Sequence, residues 1–361
     1  MIIKLSKTDW RQVGYKMGWL KTALNTEVLG VKKPKVLLIT KPGMWDLTAK
    51  HLIPLRALAT VDLFQVKSMT EEQLAKKCEG YDHLMLNMDF LPFPDLNKMD
   101  KLTDKFYNHS KVNSLKSINV DMTDADFFSP ILAKQKGILI QTCPNVVTRS
   151  VAESTVCEIT LHAKQRHLAY VADQQCLKTM QLYGKTAGII GHGNIGKAVG
   201  KILSAMGMTV LYNDITESKA TTSIERIFKE SAVISIHIPA IQKPTNKSNI
   251  GFIDSKLLNL CKGTILINLS TDIIVDSASL ISALNAERII GYSVEAGRKV
   301  TEKLKNYKQV HIAPCSFDSD ESRKTVRSTW IQNTVNMIKG TPENIWAVLF
   351  LRFKKKDIVT K

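Results

Sequence analysis

The sequence predicts two α/β domains, each built on a parallel, doubly wound sheet. The stretch Thr186 to Gly196 runs from a short apolar strand, through glycines at the first, third and sixth places of a G-x-G-x-x-G, into a helix. Apolar strand-length runs alternate with helical segments on both sides of that turn, the pattern of a parallel sheet with crossover helices. The chain is also long enough: 361 residues, 44% of them hydrophobic, suit two domains of ordinary size with buried cores.

Residues 1 to 33 mix Trp10, Tyr15, Met17 and Trp19 with lysines and read as an ordered N-terminal extension. From there Val36 to Ile39 reads as a buried strand and Val61 to Val66 as a second. Thr70 to Cys78 reads as a helix with acids in its first turn, and Asp82 to Asn87 as a third strand. A helix around Lys98 to His109 and a strand near Ile118 follow. Ser129 as cap with Pro130 in the first turn opens a helix that stops at Gly137, before a strand over Ile138 to Ile140. A helix of about twenty residues, from Ser150 to near Tyr170, leads out of this unit. Its face of Val151, Ala152, Thr155, Val156, Ile159 and Ala163 suits an interdomain or subunit contact. Strands at Thr186, Met208, Ala232, Thr264, Ile290 and Val310 make six, the number of a complete dinucleotide-binding domain. A last amphipathic helix, Ser319 to Ile338, folds back on the first domain. The expected division is therefore 34–148 plus 318–361 as one α/β domain and 149–317 as a Rossmann domain inserted in it; the family resemblance set out below implies that the first is a flavodoxin-like substrate domain.

Each glycine of the turn has a physical reason. Gly191 permits the tight exit from the strand, Gly193 lets backbone approach a pyrophosphate, and Gly196 allows close helix-strand packing. His192, Asn194 and Ile195 fill the intervening places, and the helix N-terminus presents free N–H groups and a partial positive charge to phosphate. Asp214 ends the next strand, 18 residues beyond Gly196. A carboxylate there accepts hydrogen bonds from ribose hydroxyls and repels a 2′-phosphate, which favours NAD over NADP.

The formal net charge is +17, but the basic residues are spread along the whole length in short clusters such as Lys354 to Lys356. That reads as a solvated lysine-rich surface and not as a nucleic-acid site. No apolar run reaches the ~18 to 20 residues of a membrane span, and the first residues lack the apolar stretch of a signal peptide. The six cysteines form no C-x-x-C pair, which points to a reducing, cytoplasmic setting and away from a structural metal.

These blocks together resemble the D-isomer-specific 2-hydroxyacid dehydrogenases. Pro144 with Ser150 to Glu153 is similar to the family's hinge, and Leu182 to Asp214 to its cofactor block. His237-Ile238-Pro239 resembles the strand end beside the nicotinamide, Gly263 to Ser270, with Asn268, the strand before the catalytic arginine, and Glu321 to Arg323 the return helix. The resemblance implies an NAD cofactor and, for hydride chemistry, an arginine for the substrate carboxylate, a histidine for proton exchange and a glutamate to hold that histidine. At those places this chain has Thr271, Cys315 and Val300, with Glu302 two residues further on. Glu295 stands where the family has an aspartate. The family's glycine-rich substrate loop falls at Asn119 to Asp126, which has no glycine and three aspartates. Arg298, Lys299 and Arg149 are the candidate replacement anion binders.

Three functional classes remain open on these residues: an NAD(H)-binding homodimer without the familial activity, an oxidoreductase rebuilt for an unusual substrate, and a scaffold that senses NADH as the dehydrogenase-like transcriptional corepressors do.

Overall fold

A computed structural model describes residues 33–87, 102–123, 125, 128–166, 179–215, 221–239, 249–295 and 304–346. The N-terminal extension to residue 32, and the positions of Arg298, Lys299, Val300 and Glu302, lie outside the described residues. Two compact units result, Met1–Val146 with Asp320–Lys361, and Val147–Ser319.

The first unit carries a five-stranded parallel sheet of order β2-β1-β3-β4-β5. Its strands are β1 Lys35–Thr40, β2 Thr60–Gln65, β3 His83–Leu86, β4 Ser117–Val120 and β5 Leu139–Gln141. Strands β1, β3 and β4 are inner ones and almost wholly buried; β1 is accordingly apolar from Val36 to Ile39 and β3 from Leu84 to Leu86, while β4 buries Ser117 and Asn119 with side-chain partners. The helices are α1 Ile53–Leu58, α2 Glu71–Lys77, α3 Asp104–Tyr107 and α4 Pro130–Gln135. Helix α2 opens on a capping box of Thr70 and Gln73, with Glu71 and Glu72 in the first turn and Lys76 and Lys77 in the last. Ser129 departs from its expected part: it precedes Pro130 with φ 42°, and its side chain caps nothing. The start of α4 rests on proline's preset backbone.

The second unit begins with α5, Thr148–Ala163. It ends earlier than the expected Tyr170 because Gln165 turns left-handed at φ 49°. Its apolar face is also not spare for another surface: Ala152, Ile159 and Ala163 pack into this unit's own core with Ile189, Val199 and Ile267. The strands are β6 Thr186–Ile190, β7 Thr209–Asn213, β8 Val233–Ile236, β9 Thr264–Asn268, β10 Ile289–Glu295 and β11 Val310–Ala313, and the helices are α6 Asn194–Ala205, α7 Ile224–Glu230, α8 Ser255–Leu258 and α9 Ser277–Asn285. The sheet order is β11-β10-β9-β8-β6-β7. Six strands are thus present, but not as 3-2-1-4-5-6. Beyond β7 the third place shrinks to one bridge, Tyr212 to Thr221, and β11 extends the opposite edge.

Helix α10, Asp320–Ile338, belongs to the first unit. Buried Trp330 donates its indole N–H to the Asn119 carbonyl at 2.9 Å, and Asn119 donates back to the Trp330 carbonyl at 2.6 Å and to Thr334 Oγ1 at 2.7 Å. These bonds satisfy polar groups that would otherwise be buried at a cost of ~1–3 kcal/mol each.

Buried His83, paired through Nδ1 with Ser117 Oγ at 2.9 Å, is pushed by desolvation from 6.5 down to about 4. The native state therefore keeps it neutral while the unfolded chain protonates below 6.5, so stability falls as pH drops from 6.5 towards 4, by up to ~3 kcal/mol for this one group. Urea midpoints at pH 7.5 and pH 5 should show this loss, and His83→Gln should lose less between the two. An equal loss in both proteins would refute the assignment.

Candidate cofactor site

All the singled-out residues that are described in the second unit, except Arg149, gather at the carboxyl ends of its parallel strands or in the turns that follow, on both sides of the point where the chain reverses between β6 and β8. Parallel doubly wound sheets bind ligands there. At Gly191 the backbone takes φ 96°, and a Cβ would lie 2.4 Å from the His237 carbonyl oxygen. A Cβ on Gly196 would lie 2.0 Å from the Gly191 carbonyl oxygen. Only hydrogen fits at either place. Gly193, the N-cap of α6, is different: a Cβ there would meet nothing within 4 Å. The missing side chain leaves room for something from outside, beside N–H groups of the first turn that have no helical acceptor. Asn194 is exposed in that turn and Ile195 half-buried.

Asp214 follows β7, and its carboxylate accepts the backbone N–H of His192 at 2.6 Å. The acid and the glycine turn are thus one hydrogen-bonded unit. The His192 ring rests on Tyr212, centroids 4.1 Å apart and planes inclined by 52°.

At the end of β8, His237 lies half-buried with Nε2 2.8 Å from Ser235 Oγ, and desolvation pushes it to about 4. Pro239 is exposed, its carbonyl accepting from Asn249 at 2.8 Å. Asn268 at the end of β9 is buried and committed to its own turn: its amide donates to the Thr271 carbonyl at 2.9 Å and accepts from Ser270 N–H at 3.3 Å. Thr271 is 8% exposed and Asp272 5%. The buried Tyr292 phenol is raised mainly by desolvation, with the Asp272 carboxylate adding to it. Glu295, ending β10, accepts both the backbone N–H (2.7 Å) and the hydroxyl (3.2 Å) of Ser316, and Cys315 beside it is exposed. Arg149 stands in solvent, 3.9 Å from Glu153 one turn along α5, which makes it half of a surface pair.

One constellation escaped the sequence reading. Ser150, Ser154, Glu158 and His162 form a polar stripe at i,i+4 spacing on α5. Ser150 and Ser154 donate to the Ser316 carbonyl, each at 3.0 Å. Glu158 accepts from Ser293 at 2.6 Å and pairs with His311 at 2.7 Å, while His162 Nε2 lies 2.8 Å from Ser293. The spacing was visible; its partners, on β10, on β11 and in the turn after it, were not. Among the described residues no cluster fit to hold a metal ion is present, and no helix is long and apolar enough to cross a membrane.

Residues 156–314 match the family D-isomer specific 2-hydroxyacid dehydrogenase, NAD binding domain. This span, nearly the whole of the second unit, carries the family's NAD-binding domain. NAD is accordingly the cofactor of the second unit, and its fit is physical: an open cradle at Gly193, a helix N-terminus for the phosphates and a carboxylate at the end of β7. Among relatives, D-3-phosphoglycerate dehydrogenase of Dictyostelium discoideum is 29% identical over 214 residues, 55% of this chain and 51% of that protein. This chain thus spans about half the length of that relative. Glycerate dehydrogenase of Methylorubrum extorquens is 26% identical over 297 residues, 76% of this chain and 88% of that one. Among solved structures, an acyclic imino acid reductase (Bsp5) in complex with NADPH and D-Arg superposes with a TM-score of 0.74 at 21% identity, over 86% of this chain and 99% of that one.

Proposed function

We propose that this protein binds NAD(H) as a cytoplasmic homodimer and does not use the familial arginine and histidine chemistry. The observation that carries this reading is the turn after β9, where the chain places Thr271 and Asp272, both buried, at the position at which the family resemblance expects an arginine. Exchanging a positive for a negative charge near an anionic 2-oxo acid changes the interaction by several kcal/mol: one charge pair at ~4 Å is worth ~4 kcal/mol at an effective dielectric of ~20. Cys315 in place of a histidine forgoes the ~10²- to 10⁴-fold in rate that a positioned general acid–base supplies. The cofactor groups of this reading are Gly191, His192, Gly193, Asn194, Ile195, Gly196, Asp214, His237, Pro239 and Glu295. Asn268 supports the turn that frames them.

Calorimetry with NADH tests the binding, and saturation well below millimolar concentration is expected; no binding at that concentration sinks the reading. NADH absorbance across a panel of 2-oxo acids, aldehydes and ketones should show no turnover above the protein-free rate. Turnover that survives Cys315→Ala and is lost in Arg298→Ala would instead establish a rebuilt oxidoreductase. A partner recovered with NADH and not without it would establish a sensing role for the bound state.

A further inference from the structure

The sheet of the first unit, of order β2-β1-β3-β4-β5, has its own point of reversal: from β1 the chain runs outwards to β2 and returns on the other side of β1 as β3. Crevices outside the carboxyl ends of the strands at such a point bind ligands in doubly wound sheets. Three residues converge there. Asn87 directly follows β3, its backbone N–H donating to the Ile39 carbonyl of β1 at 3.0 Å. Asp121 directly follows β4, and Trp45 stands in the turn after β1. The Asn87 amide and the Trp45 indole both donate to Asp121 Oδ2, each at 2.5 Å.

This cluster is poorly chosen for a core. Asn87 is 1% exposed, and its Oδ1 is buried without a hydrogen-bond partner among the described residues. Turning the amide over would set oxygen against the Asp121 carboxylate, so the orphan acceptor is fixed in place and lacks a donor. Asp121 is buried too, and the two donors to its Oδ2 are neutral, so neither cancels its charge. That charge is felt nearby: burial pushes the Cys143 thiol well up, and the Asp121 carboxylate adds to the rise. An apolar group would serve packing better than a buried carboxylate. The turn after β1 is strained as well, with φ of 54° at Trp45 and 48° at Asp46. Arg327 of α10 clamps it, donating to the Trp45 carbonyl at 2.7 Å. Backbone strain of this kind collects at ligand clamps. Met44 and Met122, the chain neighbours of Trp45 and Asp121, are half-buried, so the cluster lies just beneath the surface.

We propose that this crevice binds a small organic cation, whose ammonium group donates to Asn87 Oδ1 and lies against the Asp121 carboxylate. Nδ2 and Oδ1 share one planar amide, so Oδ1 stands within a few ångströms of the carboxylate that Nδ2 touches, and one ammonium reaches both. It brings three N–H donors and the opposite charge. A neutral alcohol would satisfy Asn87 alone, and an anion would meet acceptors and a like charge. The inference concerns the first unit and goes beyond the cofactor site proposed above, whose residues belong to the second.

Three two-carbon probes of nearly equal size test it: ethanolamine as cation, ethylene glycol as neutral molecule and glycolate as anion. Each is titrated into the full chain while the Trp45 indole N–H signal, assigned through Trp45→Phe, is followed by NMR. Ethanolamine should shift that signal saturably, at least about fivefold more tightly than ethylene glycol, the least that one charge pair in contact is worth in water. Glycolate should leave the signal in place. Asp121→Asn, which keeps an acceptor for the indole, should lose the preference for the cation, and Asn87→Leu should weaken both ethanolamine and ethylene glycol. Should either variant fail to fold, the order of the three probes on the parent protein decides alone. No saturable shift by ethanolamine, an equal response to ethylene glycol or glycolate, or a preference for the cation that survives in Asp121→Asn would each overturn the proposal. None of these outcomes bears on the cofactor site, which calorimetry with NADH tests separately.

Discussion

Alanine at Gly196 should unfold part of the turn, whereas alanine at Gly193 should leave the fold alone and remove the cofactor. The two glycines sit three residues apart in the same motif, so propensity arguments treat them nearly alike. Their surroundings do not. At Gly196 the new Cβ would lie 2.0 Å from the Gly191 carbonyl oxygen and 3.1 Å from the Ile189 side chain. Neither is the loose end of a flexible chain. Forced overpacking of this kind costs ~1–3 kcal/mol and sometimes more, and the helix gains back only ~1 kcal/mol from replacing glycine. The clash wins, and melting should move down by several degrees, since ~1 kcal/mol corresponds to ~2–4 °C in a domain of this size. At Gly193 the Cβ enters empty space and φ is −74°, ordinary for any residue. Thermal unfolding of Gly193→Ala should match the parent, while its NADH affinity should fall at least about tenfold, because the methyl group occupies the path by which the phosphates reach the helix N-terminus. Scanning calorimetry and a fluorescence titration separate the two. Equal melting losses, or an unimpaired NADH affinity in Gly193→Ala, would contradict the account.

That contrast also marks what the sequence could and could not convey. Strands covered on both faces announce themselves, since Val36 to Ile39 and Thr264 to Asn268 have no polar face to confuse the reading. The glycine turn and Asp214 are equally legible, because a tight strand exit and an acid at the next strand end are local demands. Long-range pairing leaves no such mark. Nothing in Ser316 predicts that its N–H and hydroxyl meet Glu295 while its carbonyl takes two serines of α5, and nothing in Glu158 predicts Ser293 and His311. The end of α5 was misplaced for a related reason: helical spacing continues past Ala163 in the sequence, and only the left-handed Gln165 ends it. Asn268 looked like a ligand-facing amide because of where it stands; its burial turns it inward.

The choice between NAD and NADP rests on Asp214 more than on the fold. The solved imino acid reductase that superposes with a TM-score of 0.74 at 21% identity is in complex with NADPH, so the likeness of fold does not choose between the two cofactors. Here a carboxylate stands at the end of β7, fixed by the His192 N–H at 2.6 Å and so unable to turn aside without giving up a charge-assisted hydrogen bond. It acts in two directions. On the proposed reading it supplies NADH with an acceptor for ribose hydroxyls, and hydrogen bonds to a charged group contribute ~1.5–3 kcal/mol, so Asp214→Ala should weaken NADH about ten- to a hundredfold. Towards NADPH it sets like charges within a few ångströms, a repulsion of ~1–4 kcal/mol depending on the effective dielectric. The parent protein should therefore bind NADPH at least about tenfold more weakly than NADH, and in Asp214→Ala the two dissociation constants should converge. The ratio is the decisive quantity. A general loosening of the turn would weaken both cofactors and keep the ratio, whereas removal of a discriminating charge must collapse it. The variant should also stay folded, because the part-buried His192 N–H it leaves behind is within reach of water. Paired fluorescence titrations with the two cofactors, on parent and variant, decide the matter: a preserved NADPH-to-NADH ratio in Asp214→Ala would show that discrimination comes from elsewhere in the site.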